Sequence, residues 1–318
     1  MRGRAASPTR SAAPSAADPS RGGAPPMALA GTLLPIALAI IMFGLGLSLT
    51  ISDFRRVVVY PKATVVALGC QILLLPAICF GLVIAFDLPA ALAVGMMLLA
   101  ASPGGTTANL YSHLFGGDVA LNVTLTAINS VLAVVTLPLV TNLSLSYFDG
   151  GSGTLGLQFD KTLQVMAIVL VPVAAGMAVR AMAPRFAERM NTPVKIASAV
   201  ILALVIAGAL LQELDNLGGY IQSVGLITLA FSVISLTIGY WAPRLAGVRR
   251  DQAVASCMEI GIHNGALSIA VALSLLNSTQ MAIPAATYGV LMFFTAAGAG
   301  FLLRSRTAEP ILSEGSSV

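Results

Sequence analysis

Between residues 28 and 303 the chain consists of apolar runs of about twenty residues separated by short loops. No other feature limits its fold so tightly. A bilayer core about 30 Å thick is crossed by about 20 apolar residues in an α-helix. In lipid the backbone must satisfy its own polar groups, so runs of this length span as helices. Charges and turn residues divide the chain into nine such runs, at 28–50, 62–85, 90–114, 119–142, 162–182, 194–212, 220–241, 253–276 and 281–303. The expected fold class is an all-α membrane protein with nine transmembrane helices in the lipid bilayer. Only 9% of the residues are charged, against about 25% in a soluble domain. The net charge of +4 is no nucleic-acid signal, because the basic residues are dispersed among loops and not gathered with aromatics. Cys70, Cys79 and Cys257 lie inside apolar runs without metal-ligand spacing, and are expected to pack as small apolar side chains.

The loops differ in charge. Arg55, Arg56 and Lys62 follow the first run, and Arg185 and Arg189, flanked by Arg180 and Lys195, follow the fifth. Arg244, Arg249 and Arg250 follow the seventh, and Arg304 and Arg306 the ninth. The alternate loops carry Asp87, Asp149, Asp160, Glu213 and Asp215, with Lys161 as their one basic residue. By the positive-inside rule the C-terminus is cytoplasmic and, with nine spans, the N-terminus is outside. A bacterial inner (plasma) membrane is the expected location. Residues 1–26, rich in Ala, Ser, Pro, Gly and Arg, cannot form a core and are expected to be disordered. They read as a leader outside the mature chain, with Met27 as its first residue, or as an organelle transit peptide. The expected organisation is a transmembrane domain over 27–304 and a cytoplasmic tail over 305–318.

Two runs contain residues that a simple lipid-facing helix avoids. The third holds Ser102-Pro103-Gly104-Gly105-Thr106-Thr107-Ala108-Asn109, and the eighth holds Glu259-Ile260-Gly261-Ile262-His263-Asn264-Gly265. Proline removes a backbone donor and clashes with the preceding turn, and a break at membrane depth is tolerated only where it lines a cavity or is buried in protein. The broken runs lie five apart. A repeat of an odd number of spans inserts with opposite orientation, so the chain reads as two inverted five-helix repeats, the first lacking its opening helix. Paired interrupted spans are the sequence pointer to a transport site, their half-helix N-termini favouring anions and their unwound carbonyls ligating cations.

Glu259 is the one acid deep inside a run. A charge at the membrane centre costs about 2.5–3.5 kcal/mol on the insertion scale, which marks it as functional by default. His263 lies four residues on and would share its face if the segment were helical. Asn109 is on the first break, and Asn122 and Thr126 share one face of the fourth run, with Thr107 and Asn129 as further oxygen donors. Singly, such residues are more often helix-packing hydrogen bonders. Gathered around two breaks and a carboxylate, they suit a hard cation. No nucleophile motif, cofactor motif or metal triad accompanies them, so neither an enzyme nor a cofactor is expected, and no obligate protein partner is evident.

At these residues the chain resembles the bile acid:sodium symporter family, over essentially all of residues 30–303. The likeness rests on Met42-Phe43-Gly44-Leu45-Gly46-Leu47 leading to Asp53-Phe54, then Gln71 before Pro76, then Pro103-Gly104-Gly105-Thr106 with Asn109. Gly117-Asp118-Val119-Ala120-Leu121 with Thr126 follows, and lastly Glu259 to Asn264. The resemblance implies a panel and a core subdomain, two broken helices crossing in the core, and sodium-coupled symport of a small organic anion by alternating access. It implies a first sodium site at Asn109, Asn122, Thr126 and Glu259. A second would use Gln71, Glu259, His263 and the backbone carbonyls of Ile260 and Ile262, and substrate would lie near Thr106, Thr107 and Asn264. Ala108 stands where a serine is usual, Asn122 replaces another serine, and His263 stands where glutamine is common, which makes the second site the weaker match. The bile acid, keto acid and pantoate-like substrates of such proteins are not told apart by these residues. The rival reading is a proton-coupled organic anion transporter using Glu259 and His263, since histidine changes charge near neutral pH.

Overall fold

The structure, a computed structural model, describes residues 55–148, 159–212 and 214–304, with isolated positions between 36 and 52. The leader, the tail, most of the first run, Asp53, Phe54, Asp149 and Glu213 lie outside the described residues. Among the described residues there is no strand, only one isolated antiparallel bridge between Gly104 and His263. The helices are α1 (Pro61–Ala85), α2 (Ala90–Ala100), α3 (Thr106–Leu114), α4 (Val119–Phe148), α5 (Phe159–Met182), α6 (Pro184–Gln212), α7 (Leu214–Leu245), α8 (Arg250–Gly261), α9 (Gly265–Ser274) and α10 (Thr279–Leu303). Four stretches, Pro61–Ala85, Val119–Phe148, Val224–Leu245 and Thr279–Leu303, are long and apolar enough to cross a bilayer. The chain is an all-α membrane protein.

Several helices overrun the apolar runs that mark them. α6 starts at Pro184 and α4 continues to Phe148. A charge ends a run on hydropathy but does not end a helix at the headgroup level. Proline suits a first helical turn, and Arg180 near the end of α5 pairs with Glu188 of α6 at 3.3 Å.

Lipid tails are as apolar as leucine, so helices associate through close packing at small residues. A side-chain carbon at Gly95 would overlap the backbone of Met281 in α10, and one at Gly239 would crowd the backbone of Cys257 in α8. These approaches draw α2, α7, α8, α9 and α10 into one packed unit around the two helical breaks. α1 carries a π-turn at Cys70–Leu74, with the Leu75 amide bonded to the Cys70 carbonyl. Pro76, which cannot donate to the preceding turn, sits just beyond it.

Candidate ion and substrate site

The helix α2–α3 is interrupted between Ala100 and Thr106, and α8–α9 between Gly261 and Gly265. The two breaks pair with each other. Gly105 N–H donates to the Ile262 carbonyl and Asn264 N–H to the Pro103 carbonyl, each at 2.8 Å. Side chains engage further carbonyls: Gln71 Nε2 donates to Ser102 at 2.9 Å, and the Tyr288 hydroxyl to Gly261 at 2.8 Å. Backbone groups freed at membrane depth thus find partners, as lipid requires. α3 and α9 both begin at this crossing, so two positive helix ends converge on it. Asn264 caps α9, its Oδ1 accepting from Leu267 N–H at 3.0 Å, which leaves its amide group for other contacts.

Glu259, in the last turn of α8, is 1% exposed. Thr126 Oγ1 lies 2.5 Å from its Oε2, and Asn129 Nδ2 donates to Oε1 at 3.2 Å. The Gly104 backbone adds a hydrogen bond, and a Cβ at Gly104 would fall on the carboxylate itself. The Thr126 hydroxyl also lies 3.0 Å from the Asn122 carbonyl; having one proton, it serves one acceptor at a time. Asn122, Thr126 and Asn129 are spaced by four and three on α4, and so occupy one face. Asn122 Nδ2 donates to the Ala255 carbonyl of α8 at 2.8 Å.

The amide oxygens of Gln71, Asn109, Asn122 and Asn129 are buried without a hydrogen-bond partner among the described residues. For Gln71, Asn122 and Asn129 the orientation follows from the network, since each amide nitrogen faces an oxygen acceptor. A buried polar group left unpaired costs about 1–3 kcal/mol; of these four side chains Asn129 reaches Glu259 directly, and amide oxygens with a carboxylate are donor types that suit a hard cation. A cavity of about 10 Å³ is lined by Gln71, Pro76, Ala101 and Asn129, about the size of one water molecule or ion. Among the described residues no group of three His, Cys, Asp or Glu side chains could hold a metal ion.

His263 does not share a face with Glu259, because α8 ends at Gly261. Its ring instead meets Tyr288 and Phe231, with Nδ1 3.1 Å from the Tyr288 hydroxyl. That hydroxyl gives its one proton to Gly261, so His263 Nδ1 carries the hydrogen and Nε2 the lone pair. Nε2 is buried without a partner among the described residues. Ile260 and Ile262 are fully buried. Asn264 N–H, the helical partner that the Ile260 carbonyl would have, bonds to Pro103 instead, and the Ile262 carbonyl accepts from Gly105.

Of the residues singled out in the sequence, Asn122, Thr126 and Glu259 are brought together, with Asn129 among them. Gln71 reaches the first break. Asn109 and Thr107 lie on α3 beyond the crossing, and the Thr106 backbone opens that helix, its side chain lying outside the described residues. Tyr288 was not foreseen; it is one of six tyrosines, and no local pattern marks it.

Paired breaks around a buried carboxylate in an all-α membrane protein define the class as membrane transporters. The model of the sodium bile acid symporter family matches residues 35–219. An uncharacterized sodium-dependent transporter of Bacillus subtilis (strain 168) is 30% identical over 264 residues, 81% of this chain and 78% of its own length. A probable chloroplastic sodium/metabolite cotransporter of Oryza sativa subsp. japonica is 25% identical over 86% of this chain and 64% of its own. The ileal sodium/bile acid cotransporter of Homo sapiens is 29% identical over 73% and 66%. The chain spans just under two thirds of the length of these last two relatives. The chain belongs to the sodium bile acid symporter family. These relatives are transporters or cotransporters, not enzymes.

Proposed function

We propose that the chain is a sodium-coupled symporter of a small organic anion, working by alternating access. One sodium ion sits with Asn109, Asn122, Thr126 and Glu259. A second sits with Gln71, Glu259, His263 and the carbonyls of Ile260 and Ile262. The substrate lies against Thr106, Thr107 and Asn264, where α3 and α9 present their N-termini. The observation that carries this reading is the Glu259 carboxylate, buried at the crossing beside unpartnered amide oxygens. A carboxylate at membrane depth is costly alone, and a bound cation offsets that cost. Loaded sodium and the two positive helix ends supply countercharge to an anion. That chemistry fits a monoanion, of which bile acids, keto acids and pantoate-like acids are examples. The proton-coupled alternative is not favoured: His263 bonds to Tyr288 and not to Glu259, and the relatives' names specify sodium.

The two halves read as inverted repeats. Left-handed residues flank each broken helix, Asp87 and Gly116 around α2–α3, Gly247 and Asn277 around α8–α9. A panel and a core subdomain, an inner membrane and a cytoplasmic C-terminus complete this reading, the last resting on the basic loops. Replacing Glu259 by Gln tests the ion assignment. Sodium-stimulated uptake should be lost while the protein stays folded, since both sites share this charge. Wild-type sodium stimulation in that variant would sink the assignment.

A further inference from the structure

The ends of α3, α7, α8 and α10 enclose an open recess of about 900 Å³, lined by Arg244, Arg249, Arg250, Arg304 and His113 and, among the described residues, one acid, Asp251. Arg249 grips Asp251 through two bonds, at 2.7 and 3.2 Å. Arg244 and Arg250 are each held by one bond to a backbone carbonyl, that of Val248 at 2.8 Å and that of Leu303. Arg244, Arg250 and Arg304 line a recess in which the one acid among the described residues is already engaged. Positive charge is thus in excess and held in place. Arg250 opens α8 nine residues before Glu259, so the recess lies about 13 Å along that helix from the carboxylate.

Its depth in the membrane follows from the spans. The apolar stretches Val224–Leu245 and Thr279–Leu303 both end at this recess. Next in the chain to lining residues Arg244 and Leu303, Leu245 and Leu302 are exposed at 85% and 88%, and Leu114 is on the recess wall. Fixed guanidinium groups bind phosphate through paired charge-assisted bonds, and basic pockets between spans take anionic headgroups at the membrane surface. A soluble anion would use the arginines alone; an amphipathic one also covers the exposed leucines.

We propose that this recess binds the headgroup of an anionic phospholipid, the arginines holding its phosphodiester and the exposed leucines meeting its acyl chains. The test uses the purified full chain in detergent, with lipid retention followed by native mass spectrometry and thermal unfolding. The probes are phosphatidylglycerol, phosphatidylcholine with the same acyl chains, and glycerol 3-phosphate. Phosphatidylglycerol should be retained and should raise the unfolding temperature, and the other two should not at equal concentration. Arg304→Gln should weaken retention about fivefold. Asp251→Asn, which releases Arg249, should strengthen it by a similar factor, a gain that a misfolded variant cannot mimic. Equal binding of the two lipids, or variants indistinguishable from wild type, would overturn the proposal. An equal response to glycerol 3-phosphate would assign the recess to soluble anions and overturn the lipid.

Discussion

Gly104 faces the Glu259 carboxylate so closely that a single methyl group decides whether the carboxylate keeps its place. In Gly104→Ala the new carbon would overlap the carboxylate carbon and both oxygens. Thr126 and Asn129 hold those oxygens from α4, so relief requires the carboxylate to leave at least one of them. A hydrogen bond to a charged group is worth about 1.5–3 kcal/mol. Losing one from the sodium-bound state should weaken sodium binding by about 10- to 150-fold. Gly105→Ala is the control: its nearest neighbour would be the His263 carbonyl oxygen at 3.4 Å, a tight but near-ordinary contact, expected to cost less than about threefold. The assay is thermal unfolding in detergent against sodium, with potassium keeping ionic strength constant. Sodium at a hundred times the wild-type Kd stabilises by about 2.7 kcal/mol, and a hundredfold weaker site retains about 0.4 kcal/mol. Equal sodium responses in wild type and Gly104→Ala would show that the carboxylate is not an ion ligand, or is not held as described.

Tyr288→Phe should leave the Gly261 carbonyl and His263 Nδ1 without their partner, destabilising the protein by about 2–6 kcal/mol at about 1–3 kcal/mol per unpaired buried group; a change below about 0.5 kcal/mol, the range of ordinary surface substitutions, would contradict the network. His263→Gln keeps both a donor for Tyr288 and an oxygen for the cation, so sodium-induced stabilisation should survive it and fail in His263→Leu. If the leucine variant responds to sodium like wild type, His263 is a packing residue. Reporter fusions after Arg189 and Arg250 should report the cytoplasm, and those near Asp149 and Asp215 the outside; a cytoplasmic report from Asp149 would refute the orientation.

The breaks were legible because lipid makes an unsatisfied backbone so costly that Pro103-Gly104-Gly105 and the stretch from Glu259 to Asn264 cannot be ordinary spans. Glu259 was legible as a charge at membrane depth. Its partners were legible only as candidates: the spacing of Asn122, Thr126 and Asn129 puts them on one face of α4, but nothing local says that this face meets α8. The hydrogen bond from Asn129 crosses 130 residues of chain. The course of His263 was hidden for a different reason. A helical spacing from Glu259 would put the two on one face only if the segment were helical, but the helix ends at Gly261 and the tertiary partner of His263 lies 25 residues further on in α10. Helix ends ran past the apolar runs because charge marks where lipid stops, not where a helix does.

Sodium coupling is tested most directly in proteoliposomes, by uptake of a labelled organic monoanion at fixed pH and clamped voltage. An inward sodium gradient should drive accumulation above equilibrium, potassium in its place should not, and Glu259→Gln should remove the difference. Accumulation driven by a proton gradient alone, with sodium absent on both sides, would contradict it.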